Sequence, residues 1–108
     1  MADAVVYLQP SAMVFEALLD LMELQKGDEV ESDPAGGKHY FETTLYGIVW
    51  EIRYTITEID RTRCAVRIEV ASKDGNGDTE GYAEIMALRE YALLDSMLLI
   101  GTPYEFSK

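Results

Sequence analysis

The chain has 108 residues, of which 48% are apolar, enough for one domain with its own core. Twenty acidic residues against nine lysines and arginines leave a net charge of −11, which excludes the clustered basic surface that nucleic acid or an anionic membrane requires. The one cysteine, Cys64, excludes an internal disulfide and a multi-cysteine zinc site.

The first residues, Met1 to Ala4, carry no basic segment, and the apolar run Val5 to Leu8 is too short for a signal peptide, so a cytoplasmic protein is expected. Val5 to Leu8 reads as a strand. Pro10 and Ser11 then open a helix expected over Ala12–Gln25, with serine as the cap. Glu16, Asp20 and Glu23 fall on one side of it at helical spacing. Met13, Val14, Phe15, Leu18, Leu19, Leu21, Met22 and Leu24 make the rest apolar. Lys26-Gly27 stops it. Paired carboxylates suit acid–base catalysis only inside a cleft, and on an amphipathic helix such a ridge is the wet face.

Asp28 to Ser32 is expected as a short edge strand whose acids discourage stray pairing. Pro34-Ala35-Gly36-Gly37 is a turn, and Lys38 to Tyr46 the next strand, broken at Gly47. From Ile48 onward the alternation is strict. Ile48, Trp50, Ile52, Tyr54 and Ile56 point one way, and Val49, Glu51, Arg53, Thr55 and Thr57 the other. Cys64, Val66, Ile68 and Val70 resume the pattern after a polar break. One sheet face meets a core and the other meets water.

Charge sets the register of this hairpin. A loop of Asp60-Arg61-Thr62 that pairs Ile59 with Arg63 places Arg53 opposite Glu69 and Thr55 opposite Arg67. The alternative slide sets Arg53 against Arg67 and Glu51 against Glu69. Like charges directly opposite are unfavourable, so the first register is predicted, with Ile52, Tyr54 and Ile56 stacked on Val70, Ile68 and Val66.

Ser72 to Glu80 is a polar loop. Its Asp74-Gly75-Asn76-Gly77-Asp78 matches the start of a calcium loop. The match fails where Thr79 replaces the turn glycine and Ile85 the bidentate glutamate, so no metal is expected. A second helix is predicted over Gly81–Ile100, closed by Gly101 and Pro103. Tyr104 and Phe106 of the Thr102–Lys108 tail are expected to dock on the body. Projected at helical pitch, Ile85, Met86, Leu88, Ala92, Leu93, Met97, Leu99 and Ile100 form one broad apolar arc, expected to cover the sheet. A second stripe of Ala87, Tyr91, Leu94 and Leu98 lies beyond the acidic line of Glu84 and Asp95. It is expected to be covered by the rest of the chain or by a second copy, which makes it the candidate homodimer interface.

The order strand, helix, short strand, three strands, helix defines a single α+β domain over residues 1–108. Its antiparallel sheet has four to five strands, with both helices on one face. It resembles the TATA-binding-protein-like and helix-grip class, in which helices lie across one face of a curved antiparallel sheet. That likeness is topological and brings no motif and no function. No catalytic, cofactor or metal motif stands out. His39, the only histidine, shows no triad or metal partner and reads as structural. Cys64 reads as a small core residue. Phe15, Tyr40, Phe41, Trp50 and Tyr54 are the candidate lining of a pocket for a small apolar or aromatic ligand between sheet and helices. The leading expectation is a non-catalytic binding or assembly module that self-associates, and the alternative is a small-ligand carrier.

Overall fold

The computed structural model describes residues 4–73 and 81–101, with side chains as far as Leu98. The calcium-like loop residues 74–79 and the tail from Thr102 lie outside this range. Seven elements follow in chain order: β1 (Val5–Tyr7), α1 (Ser11–Leu24), β2 (Asp28–Asp33), β3 (Lys38–Leu45), β4 (Ile48–Asp60), β5 (Arg63–Ser72) and α2 (Tyr82–Gly101). The strands form one antiparallel sheet in the order β1-β5-β4-β3-β2.

The β4–β5 ladder has the predicted register: Arg53 faces Glu69, Thr55 faces Arg67, and Ile52, Tyr54 and Ile56 face Val70, Ile68 and Val66. The turn differs. The ladder reaches Glu58 opposite Cys64, then shifts so that Asp60 faces Arg63, leaving Ile59 as a bulge over a two-residue Arg61-Thr62 loop. Asp60 supplies the reason. Its carboxylate accepts the Thr62 N–H at 2.9 Å and the Arg63 Nε and Nη2 at 2.9 and 2.7 Å. Those hydrogen bonds, from Arg63 first, hold its pKa down at about 2.

At the β3–β4 turn, Leu45 pairs with Ile48, and Tyr46 and Gly47 both take left-handed conformations, with φ of 58° and 76°. This is the geometry of a two-residue turn that follows strand twist. The expected strand residue Tyr46 is therefore the first turn residue. Edge strand β2 is longer than expected, and Val30, its presumed centre, is the bulged residue.

Helix α1 begins one residue earlier than expected. Pro10, in extended conformation, stands at the cap position without a side-chain hydrogen bond, and Ser11 is the first helical residue. Proline pre-sets the backbone there and has no N–H to leave unpaired. Both helices lie on one face of the sheet. Val14, Phe15, Leu18 and Leu21 from α1 and Met86, Leu94 and Leu98 from α2 close over Tyr7, Phe41, Trp50, Ile52, Tyr54, Ile56, Cys64, Val66 and Ile68. The opposite face is charged. Glu42 lies directly across from Glu51, and Lys73 at 3.2 Å and Arg53 at 4.0 Å offset the like pair.

Candidate functional site

Four core positions recur along α2 at four-residue spacing: Met86, Glu90, Leu94 and Leu98. The second is a fully buried carboxylate. The Tyr54 hydroxyl donates to Glu90 Oε1 at 2.6 Å, and Gln25 Nε2 donates to the same oxygen at 3.0 Å. Arg89 Nη1 reaches Glu90 Oε2 at 3.3 Å and Gln25 Oε1 at 2.9 Å. Thr43 Oγ1 donates to the Gln25 carbonyl at 2.9 Å. Burial raises the Glu90 pKa, opposed by the Tyr54 and Gln25 hydrogen bonds and by the Arg89 charge. Burial also pushes the Tyr54 hydroxyl well above its ordinary value, and the Glu90 charge adds to this. The cluster ties the end of α1, β3, β4 and α2 together. Both carboxylate oxygens are engaged and no part of Glu90 meets solvent, so the arrangement acts as a clamp.

His39 lies beside this clamp. Alternation along β3 turns it inward with Phe41 and Thr43, and it is buried. Its ring stacks on Tyr54 at 6.2 Å with 6° between planes and meets Phe15 and Phe41 at 5.8 Å each. Neither ring nitrogen has a hydrogen-bond partner among the described residues. Burial lowers its pKa, and the charge of Glu29 opposes that shift. His39 is thus a neutral imidazole in an aromatic cage, with no carboxylate in hydrogen-bond contact.

The candidate pocket divides between the two sheet faces. Phe15, Phe41, Trp50 and Tyr54 are all buried and pack in the interior, with Trp50 Nε1 donating to the Leu45 carbonyl at 3.3 Å. Tyr40 does not join them. It neighbours Phe41 on a strand and so faces the other side, where Arg53 Cζ stacks 4.1 Å from its ring centre. Glu16, Asp20 and Glu23 are exposed, as the wet face of α1. The buried Cys64 thiol is pushed up by burial first and by Glu58 second, which suits a core residue.

The sequence expectation for α2 holds only in part: of the first arc, Met86 is buried and Leu93 and Met97 pack against the core. In the second stripe, Leu94 and Leu98 are buried by this chain, whereas Ala87 and Tyr91 are only half-buried. Tyr91 has a specific task there. Strand β1 pairs with β5 only from Cys64 to Val66, and the next inward-facing residue, Ile68, donates its edge N–H to the Tyr91 hydroxyl at 3.0 Å. The exposed side carries Ile85, Leu88 and Ala92, with Leu88 68% and Ile85 55% exposed. Beside this ridge a groove of about 470 Å³ runs between β5 and α2, lined by Ile68, Val70, Ala83, Ala87, Leu88 and Tyr91 and by the acids Glu69 and Glu84.

No group of three or more histidine, cysteine or acidic side chains is placed to hold a metal ion among the described residues. No described helix is long and apolar enough to cross a membrane. No known protein family matches the sequence, and no curated protein is recognisably similar to it.

Proposed function

We propose that the protein is a small cytoplasmic, non-catalytic binding or assembly module that self-associates through the outward face of α2. One observation carries this reading: a ridge of Ile85 and Leu88 stands in solvent directly beside an apolar groove on the same helix. A two-fold symmetric pair needs a self-complementary patch, and a knob next to a hole is such a patch. Contiguous exposed apolar surface on a small protein marks an interface. The acids Glu69 and Glu84 of the groove are exposed, so solvent and salt screen the repulsion between two chains of charge −11.

The interior supports assembly over ligand carriage. Phe15, Phe41 and Tyr54 fill the space between sheet and helices by packing on one another and on His39. The element order and the two helices on one face support placement in the TATA-binding-protein-like and helix-grip class. A dilution series by amide NMR tests the proposal. On dilution from millimolar into the low micromolar range, signals of Ile85 to Ala92 and Ile68 to Val70 should move together, and a rotational correlation time that is a monomer's at millimolar concentration contradicts self-association.

A further inference from the structure

A second concavity lies on another side of the molecule and shares no residue with the α2 groove. It is a cleft of about 480 Å³ between the first turns of α1, the Pro34–Gly37 turn and β4. Ala12, Phe15 and Leu19 of α1 and Ile56 of β4 give it an apolar lining, and among the described residues Glu16 and Glu58 are the only charged ones on its walls. We propose that this cleft binds small amphiphilic cations, in which an ammonium group carries a compact apolar or aromatic substituent.

The volume falls in the range of small-molecule sites, roughly 300–1,000 Å³. The walls are held in place before any ligand arrives. Ile56 donates its N–H to the Gly37 carbonyl at 2.7 Å, and Gly36 donates to Asp33 Oδ1 at 3.0 Å. Gly37 has a φ of +72°, and any side chain there would run into the Ile56 carbonyl oxygen, so the turn sits as close to β4 as backbone allows. A pre-formed wall spares a ligand the ordering cost of a flexible loop.

Charge decides the class of ligand. The N-terminus of α1 opens on the same cleft and would by itself favour an anion. Glu58 stands beside that end, with Ser11 Oγ donating to its Oε1 at 3.4 Å. With Glu16 further along the helix, the described walls present two carboxylates and no basic side chain. An anion meets repulsion there, and a neutral apolar molecule leaves both carboxylates unused.

His39 supplies a readout that general attraction to an acidic protein cannot imitate. It is the only histidine, and its ring meets Phe15, which lines the cleft, at 5.8 Å. The experiment is an NMR titration with phenyltrimethylammonium, run in parallel with benzyl alcohol and benzoate as neutral and anionic probes. The cation should give saturable shifts at Ala12 to Leu19, Gly36, Gly37 and Ile56 and at the single His39 Hε1 signal. Benzoate should give none, and benzyl alcohol should bind more weakly than the cation. Replacing both carboxylates, Glu16→Gln with Glu58→Gln, should weaken the cation about fivefold, as loss of two solvent-exposed charge contacts would. Ala12→Phe should fill the cleft and abolish the His39 shift with the melting curve unchanged. Equal binding of benzoate overturns the proposal. So do shifts scattered over all acidic surfaces without His39, or an unchanged affinity in the double glutamine variant.

Discussion

Two substitutions at Glu90 separate its shape from its charge. Glutamine keeps the acceptor that matters most, because Tyr54 and Gln25 both donate to Oε1. Only the 3.3 Å contact from Arg89 meets an amide instead of an oxygen, and Arg89 retains Gln25 Oε1 at 2.9 Å. Glu90→Gln should therefore change stability by about 1 kcal/mol or less at pH 7. Alanine leaves the buried Tyr54 hydroxyl without its acceptor, at about 1–3 kcal/mol, takes one from the half-buried Gln25 amide, and opens a cavity as well. Glu90→Ala should cost about 3–5 kcal/mol. The pH dependence gives a second test. The Glu90 pKa is raised in the folded state, so its contribution is complete below the ordinary carboxylate value and is lost as pH rises through the folded one. In urea melts from pH 4.5 to 8, the wild type should lose stability relative to Glu90→Gln as pH rises. A glutamine variant as damaged as the alanine variant, or two parallel pH profiles, would refute the clamp.

The remaining predictions use the same melts. Ile52→Asp places a charge at a fully buried position and should cost about 4 kcal/mol. Thr55→Asp sits on the charged face between Lys38 and Arg67 and should stay within about 0.5 kcal/mol; equal losses would mean that both faces are covered. The His39 pKa is lowered, so its contribution is present above the ordinary histidine value and is lost as pH falls through the folded one. His39→Phe should remove that acid-side loss, and an unchanged profile between pH 6.5 and 5 would contradict a buried neutral imidazole. Gly47→Ala, with φ of 76° and open space around it, should cost about 1 kcal/mol. Gly37→Ala adds a collision with the Ile56 carbonyl and should cost clearly more; the reverse order of the two would show that the Gly37 turn does not press on β4.

The β4–β5 pairing was legible because alternation set the faces and facing charges chose among the remaining registers. The bulge at Ile59 was not, because it follows from how the Asp60 carboxylate organises its own turn. The inward turn of His39 could be read from its spacing to Phe41. The same spacing argues against Tyr40 as a partner of Phe41, since neighbours on a strand face apart. The face of α2 was hidden because the helix is apolar nearly all round, and periodicity then has no polar side to exclude. Glu90 went unnoticed because a carboxylate amid apolar residues reads as a surface position. Its spacing of four residues from both Met86 and Leu94 was the available signal. The α1 cleft and the α2 groove arise from how separate elements meet, which no local pattern encodes.

The central claim is that the outward face of α2 is an interface while its inward face is core. Light scattering on wild type and Leu88→Glu at tens of micromolar, with circular dichroism on the same samples, tests it most directly. The account predicts a wild-type dimer and a folded Leu88→Glu monomer. It also predicts loss of folded structure in Leu94→Glu, because Leu94 is wholly buried. A wild type that remains monomeric, or a Leu88→Glu variant that remains dimeric, would contradict it.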